Sequence, residues 1–216
     1  TALMYAAEKR NLEVVKCLMK HGAKLDKKDK KGRTALMHEA EYGTEEMVKC
    51  LAEQGVKLDE KDNNGRTSLM HAAEKSNFEV VKCLAEQGAN LDEKDKKCRT
   101  ALMHAAEKSN LEVVKYLAEH GAKLDEEDNN GLTVLIYEAK YGTEEMVKYL
   151  VDKGSDVNKV DKKGRTALMY AAKYGKLEMV KYLAKHGVKL DEKDNDGMTA
   201  LIYAVGKGNL EVVKYL

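Results

Sequence analysis

The sequence predicts an all-α solenoid, a row of short helix pairs about six and a half units long. Three observations predict it. The chain of 216 residues repeats itself with a period of 33, each unit carries two apolar stripes at helical spacing, and no stretch offers material for one thick core. A period between 20 and 50 residues is the signature of stacked units that share a continuous core with their neighbours.

The period is read from three invariant columns. Thr1, Thr34, Thr67, Thr100, Thr133, Thr166 and Thr199 open the phrase TALM, TSLM, TVLI or TALI. Leu18, Leu51, Leu84, Leu117, Leu150, Leu183 and Leu216 form a second column, and Gly22, Gly55, Gly88, Gly121, Gly154 and Gly187 a third. Six periods reach residue 198, leaving eighteen residues of a seventh unit.

Within a unit the elements follow from local chemistry. In TALMHAAEKSN (100–110), Leu102, Met103, Ala105 and Ala106 fall at helical spacing behind Thr100, whose hydroxyl suits an N-cap. Ser109-Asn110 breaks the pattern. In LEVVKYLAEHG (111–121), Leu111, Val114, Leu117 and Ala118 repeat in steps of three and four, and Gly121 suits the residue past the helix end. The Asp- and Asn-rich AKLDEEDNNG (122–131) reads as a turn. The order is helix, turn, helix, extended loop. Helices of roughly ten residues are marginal alone in water, so each must bury its stripe against the next copy.

The phrase D-x-x-G-x-T-x-L-x-x-A-A…G-x-x-E-V-V-K-x-L…G-A resembles the ankyrin repeat, carried in the second unit by Asp29, Gly32, Thr34, Leu36, Ala40, Gly43, Val48, Leu51 and Gly55. The resemblance spans residues 1–216 as a single array. It implies an all-α ankyrin-repeat solenoid of antiparallel helix pairs with short β-hairpin fingers between units. It further implies a concave surface of fingertips and inner helices that binds other proteins. The family's T-P-L-H is T-A-L-M here. Loss of Pro weakens each helix start, and Met4, Met37, Met70, Met103 and Met169 put core-filling volume where His is usual.

Composition excludes several functions. With 38 Lys and Arg against 37 Asp and Glu, the chain has net charge +1 and is no broadly basic nucleic-acid binder. No apolar run reaches the ~18 residues of a membrane span, and no secretory apolar region opens the chain. His38, His71 and His104 share one column, and Cys17, Cys50 and Cys83 another. Neighbours in a column stand ~10 Å apart, too far to share a metal or a disulfide. The expectation is no metal, no cofactor and packing thiols suited to a reducing, intracellular, cytoplasmic setting. Cys98 is unusual in occupying the turn position held elsewhere by Gly32, Gly65, Gly131, Gly164 and Gly197. No nucleophile, base and oxyanion donors converge, so no catalytic residue is expected.

The candidate binding residues come from charge and from tyrosines. Finger windows alternate in sign, with +3 at 26–33, −1 at 59–66, +1 at 92–99, −4 at 125–132, +3 at 158–165 and −3 at 191–198. A duplex binder would show a continuous positive stripe instead. Either the mixed charge merely keeps the fingertips solvated, or a partner reads it. The basic candidates are Lys30, Lys31, Arg33, Arg66, Lys96, Lys97, Arg99, Lys162, Lys163 and Arg165. The column Tyr5, His38, His71, His104, Tyr137, Tyr170, Tyr203 lies on the inner helices, with Tyr141 and Tyr174 one turn further on. Tyr137, Tyr141, Tyr170, Tyr174 and Tyr203 thus form a Tyr-rich stretch suited to an interface or to packing between inner helices.

The expected function is a non-enzymatic scaffold for a partner protein or peptide. One ankyrin-bearing latent ribonuclease senses short 2′,5′-linked oligoadenylates and is similar in its TALM phrase, so ligand sensing is the second reading. An engineered array without a natural partner is the third, against which the four Cys and the drift between units argue. Glu39 and Glu138 replace Ala in units two and five, within EAEYGTEEMVKCL and EAKYGTEEMVKYL, three periods apart. Block duplication or a twice-repeated binding site would explain them, and a buried carboxylate there needs a partner or a raised pKa. Neither terminal unit exchanges its apolar columns for polar ones. This suggests a piece of a longer array, with head-to-tail stacking through uncapped ends.

Overall fold

The computed structural model describes residues 1–216 and contains fourteen helices. They divide between two compact units. Unit 1, Thr1–Ala122, holds α1 (Ala2–Glu8), α2 (Leu12–Lys20), α3 (Ala35–Tyr42), α4 (Glu45–Glu53), α5 (Ser68–Glu74), α6 (Phe78–Glu86), α7 (Ala101–Glu107) and α8 (Leu111–Glu119). Unit 2, Lys123–Leu216, holds α9 (Val134–Tyr141), α10 (Glu144–Asp152), α11 (Ala167–Lys173), α12 (Leu177–Lys185), α13 (Ala200–Lys207) and α14 (Leu210–Tyr215).

The helix starts are those the Thr column dictates. Thr34 Oγ1 accepts the Met37 N–H at 3.3 Å, and Thr67, Thr100 and Thr166 repeat the bond. It satisfies one of the donors that the first turn leaves orphaned. Each first helix packs on its own second helix and on the first helix of the next repeat: α1 on α3, α3 on α5, α5 on α7, and in unit 2 α9 on α11 and α11 on α13. Second helices pack likewise, α4 on α6 on α8, and α10 on α12 on α14. Leu36, Leu69, Leu102, Leu135, Leu168 and the methionines beside them are buried, so the Met column fills the core.

The fingers differ from the expected β-hairpins. The one strand-like pairing is an isolated bridge between Val160 and Thr166. The reason lies in the invariant Asp. The Asp29 N–H donates to the Arg33 carbonyl and the Gly32 N–H to the Asp29 carbonyl, each at 2.9 Å. Asp29 Oδ1 then accepts the N–H of Lys31 at 2.8 Å and of Arg33 at 2.9 Å. The carboxylate takes up backbone donors that a ladder would have used. The same turn recurs at Asp62, Asp95, Asp128, Asp161 and Asp194. Gly32 closes it at φ +77, and Cys98 adopts φ +58 in the same place.

Successive fingers are tied together. The Asn63 N–H reaches the Lys31 carbonyl at 3.0 Å and its side-chain amide the Lys30 carbonyl at 3.0 Å. Lys28 Nζ donates to the Lys61 carbonyl and Lys61 Nζ to the Lys94 carbonyl, both at 2.9 Å and both one period apart. In unit 2 the Asn195 N–H and amide hold the Lys163 and Lys162 carbonyls in the same way.

Candidate functional site

Below five of the six fingers the Asp works a second time. Its other oxygen, Oδ2, reaches the side chain nine residues later, on the first turn of the inner helix. His38 Nε2 lies 3.2 Å from Asp29, His71 Nε2 3.1 Å from Asp62, and His104 Nε2 3.2 Å from Asp95. In unit 2 the Tyr170 hydroxyl donates to Asp161 at 2.7 Å and the Tyr203 hydroxyl to Asp194 at 2.6 Å. The column expected to face a partner is therefore largely a clamp that fastens each finger to its helix. Burial holds the His71 imidazole below its usual pKa despite Asp62 and Glu41, and pushes His104 down to about 4. Burial and the Asp161 carboxylate together raise the Tyr170 hydroxyl, and Tyr203 is lifted to about 12.

The arginines complete this clamp. Arg33 bonds Asp29 and Glu41, each at 3.2 Å. Arg66 bonds Glu74 at 2.6 Å, and Arg99 bonds Asp95 at 3.3 Å and Glu107 at 2.9 Å. Arg165 bonds Asp161 at 2.9 Å while its guanidinium lies 4.8 Å from the Tyr170 ring centre. All four guanidinium groups are committed to carboxylates of their own finger or of the inner helix that follows it.

What remains outward is narrower than the sequence suggested. Lys30, Lys31, Lys96, Lys97, Lys162 and Lys163 stand exposed at fingertips. Tyr141 and Tyr174 are 59% and 48% exposed at the ends of their helices, whereas Tyr170 is 2% exposed. Tyr137 and Tyr203 are intermediate. Tyr137 and Tyr141 pack with ring centres 5.0 Å apart, and Lys140 Nζ sits 4.5 Å from Tyr141 and 5.2 Å from Tyr170. Within unit 2 the structure brings Tyr137, Tyr141 and Tyr170 around Lys140, and Arg165 onto Tyr170. The fingertip lysines keep their own positions above the clamp.

The Asp-to-residue-nine pairing escaped the sequence reading, although its signal was present. An invariant Asp column and a column restricted to His or Tyr stand at constant spacing, an acceptor always matched by a donor.

Glu39 and Glu138 are buried in the middle of α3 and α9. Burial raises each carboxyl to about 7, against the opposing charge of Arg10 for Glu39, and against the Thr143 N–H and Lys176 for Glu138. The cysteines stay apart as free thiols. No group of three or more His, Cys, Asp or Glu has a metal-holding arrangement, each column histidine being spent on its own Asp. No helix is long and apolar enough to cross a membrane.

Comparison with known proteins agrees with this architecture. A family model described as ankyrin repeats (3 copies) matches residues 3–95, 89–161 and 139–216. Among solved structures, the crystal structure of the ankyrin repeat domain of Bcl-3, a member of the IkappaB protein family, is similar at 25% identity and a TM-score of 0.90. It covers 99% of this chain and 98% of its own. A search of curated proteins gave no match. With a 33-residue period, paired helices capped by threonine, Asp-built fingers and a family match across nearly every residue, the chain belongs to the ankyrin-repeat family.

Proposed function

We propose that this protein is a non-enzymatic, intracellular scaffold that binds a partner protein or peptide through its fingertips and first helices. Ankyrin repeats are in general protein–protein interaction modules. The observation that carries the reading is the treatment of the Lys-Lys fingertips. The backbone at Lys30-Lys31 and Lys162-Lys163 is held by Asn63 and Asn195, while the four ammonium groups form no ion pair or hydrogen bond. A charge displayed on a pre-ordered backbone costs little entropy to engage. Such charges set specificity and association rate. Tyr141 and Tyr174 add exposed aromatic area at low rotamer cost.

The test is a pull-down from the native cell, repeated with Lys30, Lys31, Lys162 and Lys163 reversed to Glu, followed by stopped-flow kinetics and calorimetry on the captured protein. Association should slow at least tenfold and lose its salt dependence on charge reversal. Tyr141→Ala with Tyr174→Ala should weaken binding by about 1–2 kcal/mol. Unchanged affinity in both variants would refute the proposed face. A thermal-shift comparison of short oligonucleotides with acidic peptides separates the ligand-sensing alternative, which predicts stabilisation by the oligonucleotides alone.

A further inference from the structure

Glu39 and Glu138 occupy one position of the repeat, yet their surroundings differ. Glu138 Oε2 accepts the Thr143 N–H at 3.3 Å, while its buried Oε1 has no hydrogen-bond partner. Lys176, seated on the Gly142 carbonyl at 3.0 Å, supplies a nearby positive charge. At Glu39 the place of Lys176 is taken by Asn77, whose neutral amide rests on the Gly43 carbonyl at 3.1 Å. Glu39 is 1% exposed and its Oε2 has no hydrogen-bond donor.

A pocket of about 240 Å³ opens beside it, lined among others by Glu8, Arg10, Glu41 and Tyr42. The remaining charges there are accounted for. Arg33 is held by Asp29 and Glu41, and His38 by Asp29. Arg10 is exposed and acts on Glu39 only through its field, forming no ion pair. The exposed Tyr42 ring already carries Lys75 Nζ at 5.0 Å, which shows that a cation is accommodated at this rim. An unpartnered carboxylate in a weakly solvated pocket is costly, and a cation delivered to it recovers that cost.

We propose that this pocket in unit 1 is a specificity pocket for a basic side chain, Lys or Arg, presented by the partner, with Glu39 receiving its charged head and Tyr42 flanking its stem. The inference rests on the reading of the chain as a protein-binding module, and it adds a chemical requirement on the partner. The incoming cation displaces the exposed Arg10 from the pocket lining.

The probe is butylguanidinium, with butanol as the uncharged control, titrated into protein carrying ¹³C-labelled glutamate carboxyls. The Glu39 resonance is identified by its loss in Glu39→Gln. A saturable shift at Glu39 is expected with butylguanidinium and not with butanol. It should be unchanged by Glu138→Gln and at least twofold tighter in Arg10→Ala. Circular dichroism checks that the variants remain folded, the Gln being an isostere of the protonated acid. An unmoved Glu39 signal, an equal response to butanol, or no gain in Arg10→Ala overturns the proposal. Because the probe is not the partner, that result leaves the fingertip experiment standing, so the two readings fail separately.

Discussion

The buried carboxylate of Glu39 packs its Oε2 against Gly43, four residues on, and Glu138 repeats the arrangement against Gly142. The other repeats put Ala in place of the Glu and turn at a residue with positive φ: Arg10, Ser76, Ser109, Gly175 and Gly208. Gly43 and Gly142 instead take extended backbone at φ −82° and −96°. They are needed for space rather than for backbone freedom, since a Cβ at either would meet the carboxylate, and at Gly43 the Glu39 backbone as well. Gly43→Ala is expected to cost about 1–3 kcal/mol in urea unfolding, in the range of overpacking. The double variant Glu39→Ala with Gly43→Ala should recover only part of it, because the Glu39 carbonyl and Cα still crowd the added Cβ, and strict additivity would show that the carboxylate adds nothing to the obstruction.

The same carboxyls make stability depend on pH. Their folded pKa of about 7 lies above the ordinary value of 4.5, so the folded state binds more protons between those limits. Their contribution is complete below pH 4.5 and is lost as pH rises through 7. Burial of His104 acts oppositely, with a folded pKa of about 4 against 6.5, so its contribution is lost as pH falls through that interval. Glu39→Gln with Glu138→Gln should remove the loss on the alkaline side, gaining a few kcal/mol at pH 8, on the order of 1.4 kcal/mol per pKa unit. Thermal melts from pH 5 to 8 measure it, and parallel profiles for variant and parent would contradict it.

Loss of the finger clamp should loosen one finger rather than one helix. Asp161→Ala removes the acceptor of the Lys163 and Arg165 N–H groups and of the Tyr170 hydroxyl, at a cost of about 2–4 kcal/mol. Tyr170→Phe leaves the turn intact and should cost about 1 kcal/mol. Hydrogen exchange at residues 161–166 should accelerate in the first variant and hardly change in the second.

Cys98 holds the left-handed turn that Gly holds in the neighbouring fingers. Cys98→Gly is expected to stabilise the chain by about 1 kcal/mol by removing the Cβ penalty. A lower melting temperature for the variant would mean that the Cys98 side chain contributes contacts outweighing that strain.

The helices were legible because their information is local. Thr caps, three- and four-residue apolar steps and the Gly ends recur in every unit, and tertiary packing had nothing to override. The fingers were less so, since whether Asp29 satisfies the turn or leaves its donors to a ladder is decided by side-chain reach, which periodicity does not encode. The surface was least legible. Arg33, Arg66, Arg99, Arg165 and Tyr170 have the composition of an interface, and in the fold they hold fingers to helices. Pairing between columns separates the two roles, and counting residue types along a single column misses it.

Lys28 and Lys61 each reach a carbonyl one full period ahead, and Asn63 and Asn195 reach back by the same interval. Small insertions or deletions inside a repeat would cut these ties, whereas gaining or losing a whole repeat preserves them. The molecule's length is thus free to change only in complete steps, and Glu39 and Glu138 stand three such steps apart.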